Sequence, residues 1–282
     1  GLQLYLDNAA AALSGITLTS ITSSSNTGSG FQFLGTSGSG SGVTLTNVTA
    51  NNNGTDGINV KGNWTDVNIN GCISNTNGDG NPGSGDGISY HDSTTGSIKY
   101  CFISNNLKSA IAHVGDSDVD MFYNVFRHTT NGTIALVYLE GTGTYRMYNN
   151  TIYSAAQTGL GVEISTPTGP TLTFKNNIIY GFATGFKKTA GTLTEDYSLI
   201  YNTSTANYNG LTAGANSVSV DPLFTNAGSD DFSLQSASPA INIGENLGST
   251  YDDALTSATV FVSSVVTADQ DVNGSAWEVG AY

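Results

Sequence analysis

The run Asp86-Gly87-Ile88-Ser89-Tyr90-His91-Asp92 carries the most suggestive chemistry in the chain. If it is a strand with Ile88 and Tyr90 turned inward, Ser89 and His91 point outward on one face. Asn59-Val60-Lys61 precedes it by one repeat, which sets Asn59 under Ser89 and Lys61 under His91. Ala112-His113-Val114 follows by one repeat. Lys61, Ser89, His91, Asp92 and His113 could then crowd one patch, in which Ser89 and Asn59 are expected to contact substrate. Removing a proton next to a sugar carboxylate needs a base, a second proton-handling group, and a cation that neutralises the carboxylate and its enolate-like intermediate. His91 or Tyr90 fits base or acid, and Lys61 fits the neutraliser. The plainer reading is that His91 and Asp92 open a polar turn. Strict alternation turns His113 inward, as a core histidine satisfied by neighbouring backbone, with a catalytic role as the alternative.

A second row lies on another face. Outward positions there read Asn70, Lys99, Phe122, Tyr148 and Lys175, flanked by Asn68, Ser97, Asp120, Arg146 and Thr173. Aromatic rings interleaved with cations and amides make a track on which sugar rings stack and hydroxyls bond. A covering loop or subunit contact explains the same row, and a one-residue slip in register would send Phe122 and Tyr148 into the core.

Metal and cofactor signals are thin. Asp269-Gln270-Asp271-Val272-Asn273-Gly274 matches the first half of a calcium loop, but Gly280 stands where a bidentate Glu is needed. It reads as a structural turn, with Ca²⁺ as the alternative there and at Asp116, Asp118 and Asp120. No zinc spacing, nucleophile elbow or phosphate loop occurs, so no cofactor is expected. Cys72 and Cys101 fall one repeat apart, which permits either a disulfide or two free thiols stacked in the core.

These residues must be positioned by a repeat. Val48, Cys72, Cys101, Asn124, Asn150 and Asn177 mark copies of one unit at steps of 24, 29, 23, 26 and 27 residues. Each copy is a short alternating strand, a small or Asn residue, and an apolar pair, as in Met-Phe-Tyr-Asn-Val-Phe (121–126). About ten residues later a second strand follows, usually after Gly. A period near 25 residues with two or three strands per turn predicts an all-β parallel solenoid, its coils about 4.8 Å apart. Asn124, Asn150 and Asn177 should stack as a turn ladder, because Asn tolerates left-handed backbone and pairs along the stack. The insertion Gly78–Gly85 should loop outward without disturbing that ladder.

Composition agrees. The 282 residues include 35 Gly and only 11% charged residues, which suits strands and turns over helices. A net charge of −14 excludes non-specific nucleic-acid binding and weakens the case for polyanions. No apolar run approaches the roughly 20 residues of a membrane span. Gly1 runs directly into strand-like sequence, so a mature product or part of a longer chain is expected.

Beyond Asn202 the period fades into a spaced series: Asp221-Pro222-Leu223-Phe224, Asp231-Phe232-Ser233-Leu234, Ser238-Pro239-Ala240-Ile241 and Glu278-Val279-Gly280-Ala281-Tyr282. This resembles the segment that closes many bacterial right-handed parallel β-helix proteins of the pectate-lyase-like superfamily. The resemblance implies coils over 1–202 and a closing coil with its cap over 203–282, within one structural unit. The cap should cover the last coil. The run around His91 is also similar to the G-F-D-P-H-E stretch of mannuronan C5-epimerases and alginate lyases, with Gly87, His91 and Asp92 in place and Ser89 where that family has its catalytic Asp. Also absent are the clustered aspartates of pectin-type glycosidases of this fold. Two functions stay open. One is a secreted or cell-surface protein that recognises polysaccharide, as a lyase or C5-epimerase acting through His91. The other is a non-catalytic adhesin rod or phage tail-spike shaft, for which a homotrimer is expected.

Overall fold

The computed structural model describes residues 1–8, 10–78, 84–129, 134–165, 169–272 and 274–282. About eight coils stack in parallel, each contributing three short strands to three faces. The glycine face holds the strands that follow a glycine or small residue, such as Ile88–His91, Ile111–Val114 and Val137–Glu140. The middle face holds Thr95–Lys99, Asp118–Phe122 and Thr144–Tyr148. The back face holds Phe102–Ser104, Val125–His128 and Thr151–Ser154. In the early coils one long strand, Ile58–Asn70, runs through both the glycine and middle faces and joins them into a single sheet.

Alternation fills the interior. Ile58, Val60, Ile88, Tyr90, Ile111, Val137 and Leu139 from the glycine face meet Val67, Ile69, Ile98, Met121 and Met147 from the middle face, all buried. The sequence unit of apolar strand, Asn and apolar pair proves to straddle the corner between the middle and back faces. Asn124, Asn150 and Asn177 stack there fully buried. Asn124 Nδ2 donates to Asn150 Oδ1 at 2.9 Å, and Asn150 Nδ2 to Asn177 Oδ1 at 2.9 Å. Each ladder amide oxygen also accepts a backbone N–H from the coil before it. Cys101 and Cys72 continue the column as free thiols, the Cys72 backbone N–H donating to Cys101 Sγ at 3.1 Å. Burial, first of all, and then the neighbouring thiol push the Cys72 thiol well up.

Left-handed backbone, expected at the ladder asparagines, sits instead one residue earlier, at Asn47, Gly71, Tyr100, Tyr123, Asn149, Asn176 and Tyr197. The amide and the left-handed turn are separate requirements. A second Asn ladder, Asn53–Asn77–Asn106, occupies the corner between the back and glycine faces, with 2.9 and 2.8 Å amide contacts. Of the Gly78–Gly85 insertion, residues 79–83 lie outside the described residues. Its two ends touch, since a Cβ on Gly78 would come within 2.4 Å of the Gly85 Cα.

Residues 206–219 form the last partial coil: Ala206–Asn209 pairs with Thr184–Lys188, and Val218 bridges Leu199. The 221–282 tail packs Ala240, Val279, Phe224 and Leu234 against Ile178, Leu199 and Val218 of the last coils. It lies sideways across the middle and back faces, where Tyr251, Leu255, Phe232, Phe261 and Ala281 pack on Tyr100, Phe122, Tyr123, Val125, Tyr148 and Tyr153. No helix among the described residues is long and apolar enough to cross a membrane.

Candidate functional site

On the glycine face the outward positions form two columns along the solenoid. Lys61, His91, Val114 and Glu140 are direct partners on successive coils. Asn59, Ser89, Ala112 and Tyr138 form the other column, continued by Glu163 and Lys187. Neighbouring members stand one strand spacing apart, about 4.8 Å. Lys61 is exposed and His91 half-buried, so the pair meets solvent.

His91 Nε2 lies 2.6 Å from Ser89 Oγ. Ser89 is fully buried, so it holds the ring and cannot touch a ligand; the expectation that it binds substrate gives way to a positioning role. Burial lowers the His91 pKa; Asp56 and Asp92 raise it, and Lys61 and Lys108 lower it. The net fall leaves a neutral imidazole near pH 7, which is the form that accepts a proton. Asp92 is exposed, in a left-handed turn at φ 63°, directly after the histidine.

Two carboxyls to which the sequence reading gave no role complete a polar strip across this face. Asp56 and Asp86 precede the glycines of adjacent coils and are 4% and 8% exposed. Asp56 Oδ1 accepts the backbone N–H groups of Gly85 at 2.8 Å and Asp86 at 2.9 Å, and Asn59 Nδ2 donates to Asp56 Oδ2 at 2.8 Å. Burial first, then the Asp56 charge, raise Asp86 to about 6, against the pull of its bond from the Ser109 N–H and of Lys108. The strip therefore runs from a carboxyl that can carry a proton near neutrality, through Asn59 and Ser89, to His91 and Lys61. The signal available in the sequence was the doublet Asp56-Gly57-Ile58 and Asp86-Gly87-Ile88, which looks like a repeated turn.

The structure withdraws other candidates. Tyr90 is fully buried with its hydroxyl 3.3 Å from the Val67 carbonyl, so it can neither accept nor give a proton to a bound polymer. His113 is also fully buried, edge-on to Tyr90 at 5.0 Å and Tyr145 at 5.2 Å. Among the described residues neither ring nitrogen has a partner, so the expected backbone hydrogen bond is not found there.

The proposed sugar track on the middle face has the expected register, but the tail covers it. Tyr251 stacks edge-on against Phe122 at 5.1 Å and Tyr148 at 4.8 Å, and its hydroxyl donates to Asp120 at 3.0 Å. Lys175 pairs with Glu245 of the tail at 2.6 Å, Arg146 pairs with Asp120 at 2.6 Å, and Lys99 lies over the Tyr100 and Phe122 rings. These groups are spent on the protein itself.

The aspartates named for calcium lie in two places. Asp116, Asp118 and Asp120 each serve a neighbour within the fold, at Thr142, Thr144 and Arg146. Asp269 and Asp271 instead converge with Asp252, ligand atoms within 4.8 Å, and Asp271 accepts from Trp277 and Asn246. Asn273 lies outside the described residues.

The sequence matches the family described as "Right handed beta helix region" over residues 4–162. The chain is a right-handed β-helix protein. A solved structure, the crystal structure of pectate lyase Pel9A, is similar over 100% of this chain and 69% of its own, with 17% identity and a TM-score of 0.54. At that identity the likeness concerns the fold, and it agrees with the resemblance of the tail motifs to the pectate-lyase-like superfamily. No curated protein matches the sequence.

Proposed function

We propose that this β-helix protein is a secreted or cell-surface polysaccharide-binding protein that acts on uronate sugars through the glycine face, as a lyase or C5-epimerase. The observation that carries the reading is the exposed Lys61 standing in register beside the half-buried His91 on the glycine face, with no tail residue packed on the pair among the described residues. In this reading the uronate carboxylate sits against Lys61, His91 Nε2–H donates to Ser89 Oγ, and Nδ1 takes the C5 proton. In a lyase the same nitrogen gives that proton to O4 as the C4–O4 bond breaks, and in an epimerase water returns a proton to C5 from the opposite face. Ser89 keeps the ring in place. Among the described residues Lys61 has no ion-pair partner, so it is available to an incoming carboxylate. The fold of a pectate lyase supports a carbohydrate ligand.

The test is incubation with alginate, pectin and other glycans. A rise in unsaturated-uronate absorbance, or a change in the epimer ratio of the polymer, is expected. His91→Ala should abolish it and Lys61→Ala should weaken it by roughly 10²-fold or more. No turnover on a broad panel would return the choice to a non-catalytic rod, for which a trimeric mass in solution is the expected sign.

A further inference from the structure

The outward column on the glycine face has a charge order. It reads Lys61, His91, Val114, Glu140 on four successive coils: a cation, an imidazole, an apolar side chain and a carboxylate. The companion column has the buried Ala112 beside the half-buried Val114, then Tyr138 beside Glu140. Tyr138 donates its hydroxyl to Glu140 Oε2 at 2.6 Å. Glu163, one coil further on, is neutralised by Lys187 at 2.7 Å, whereas Glu140 has no cation partner among the described residues. A pyranose ring lengthens a glycan by about 5 Å, near the coil spacing. Rings of a polymer lying along this face therefore fall roughly one to a coil. A ring held at Lys61 and His91 has its next neighbour over Val114 and a later one against Tyr138 and Glu140.

We propose that Glu140 and Tyr138 make the face selective for a uronate flanked by uncharged rings, rather than for a run of free uronates. The inference rests on the proposed function and deepens it by naming the substrate class. Lys61 attracts one carboxylate, and Glu140, two coils beyond His91, repels another. Tyr138 supplies a ring edge and face for an uncharged sugar. The protein's net charge of −14 acts in the same direction, since it repels a dense polyanion more than a sparse one. Masked carboxylates, as in a methyl-esterified polyuronate, and neutral sugars interrupting isolated uronates present the same chemistry here.

The experiment measures affinity for three oligosaccharides of equal length: a fully free oligouronate, the same chain methyl-esterified at all but one residue, and a neutral chain bearing one uronate. The wild-type protein should bind the two singly charged chains about fivefold or more tighter than the free oligouronate at low salt. Glu140→Gln, which keeps an oxygen for the Tyr138 hydroxyl, should close most of that gap by tightening the free oligouronate alone. A preference for one singly charged chain over the other identifies the source. Equal wild-type affinities for all three, or a gap untouched by Glu140→Gln in a protein of unchanged melting temperature, would overturn the inference while leaving the proposed function standing. Absence of binding to all three would overturn both.

Discussion

His113 shows what a buried ionisable side chain does when nothing answers it. With both nitrogens unpartnered among the described residues and Tyr90 and Tyr145 around it, burial first and the His91 charge second hold its pKa down to about 3. The unfolded chain takes up a proton near pH 6.5 that the folded chain refuses. Stability from this residue is thus whole above pH 6.5 and drains away as pH falls toward 3, by about 2 kcal/mol at pH 5. His113→Leu should flatten that part of the stability curve, read as melting temperature against pH. Asp86 has the opposite sign. Its folded pKa of about 6 exceeds the unfolded value, so ionisation costs stability above pH 6, up to about 3 kcal/mol, and the cost disappears as pH falls toward 4. Asp86→Asn keeps an acceptor for the Ser109 N–H, so it should raise the melting temperature at pH 8 and leave it nearly unchanged at pH 4. A stabilising substitution accompanied by lost turnover would mark Asp86 as part of the working site.

The corner ladder is the element that fixes the register of everything above it. Asn150 gives Nδ2 to Asn177 and to the Met121 and Tyr148 carbonyls, and receives from Asn124. Asn150→Ala strands several fully buried polar groups on adjacent coils and should cost about 3 kcal/mol or more, measured by urea unfolding. This ladder was legible because Asn recurs at one interval, and strand alternation correctly turned Ile88, Tyr90 and His113 inward. Other features left no such mark. Tyr100 and Tyr123 hold left-handed backbone, costing about 1–2 kcal/mol each. The reason lies far along the chain: their hydroxyls reach the Asp253 and Tyr251 carbonyls of the tail. Alternation likewise says which side Phe122 and Tyr148 face but not what covers that side. Asp56 and Asp86 received no role because they lie at corners, where period-two reasoning stops.

At the scale of the molecule, the tail decides which surface remains for a partner. By laying Tyr251, Glu245 and Phe261 against the middle and back faces it consumes their aromatics and cations, while Lys61 stays exposed and His91 half-exposed on the glycine face. A solenoid of eight similar coils thereby acquires one distinctive face, and its charge order gives that face a direction. The protein has three histidines, and they sample three environments. His91 is half-exposed on the glycine face, His113 is sealed in the core, and His128 is buried with Nε2 3.1 Å from the Asn106 carbonyl. Side-chain NMR of the histidines during titration with a uronate-bearing oligosaccharide reads all three at once, with His91→Ala assigning the signal. The His91 ring resonances should move to saturation while those of His113 and His128 stay fixed. Unmoved His91 resonances in the presence of bound sugar, or shifts confined to another histidine, would contradict the glycine face as the site.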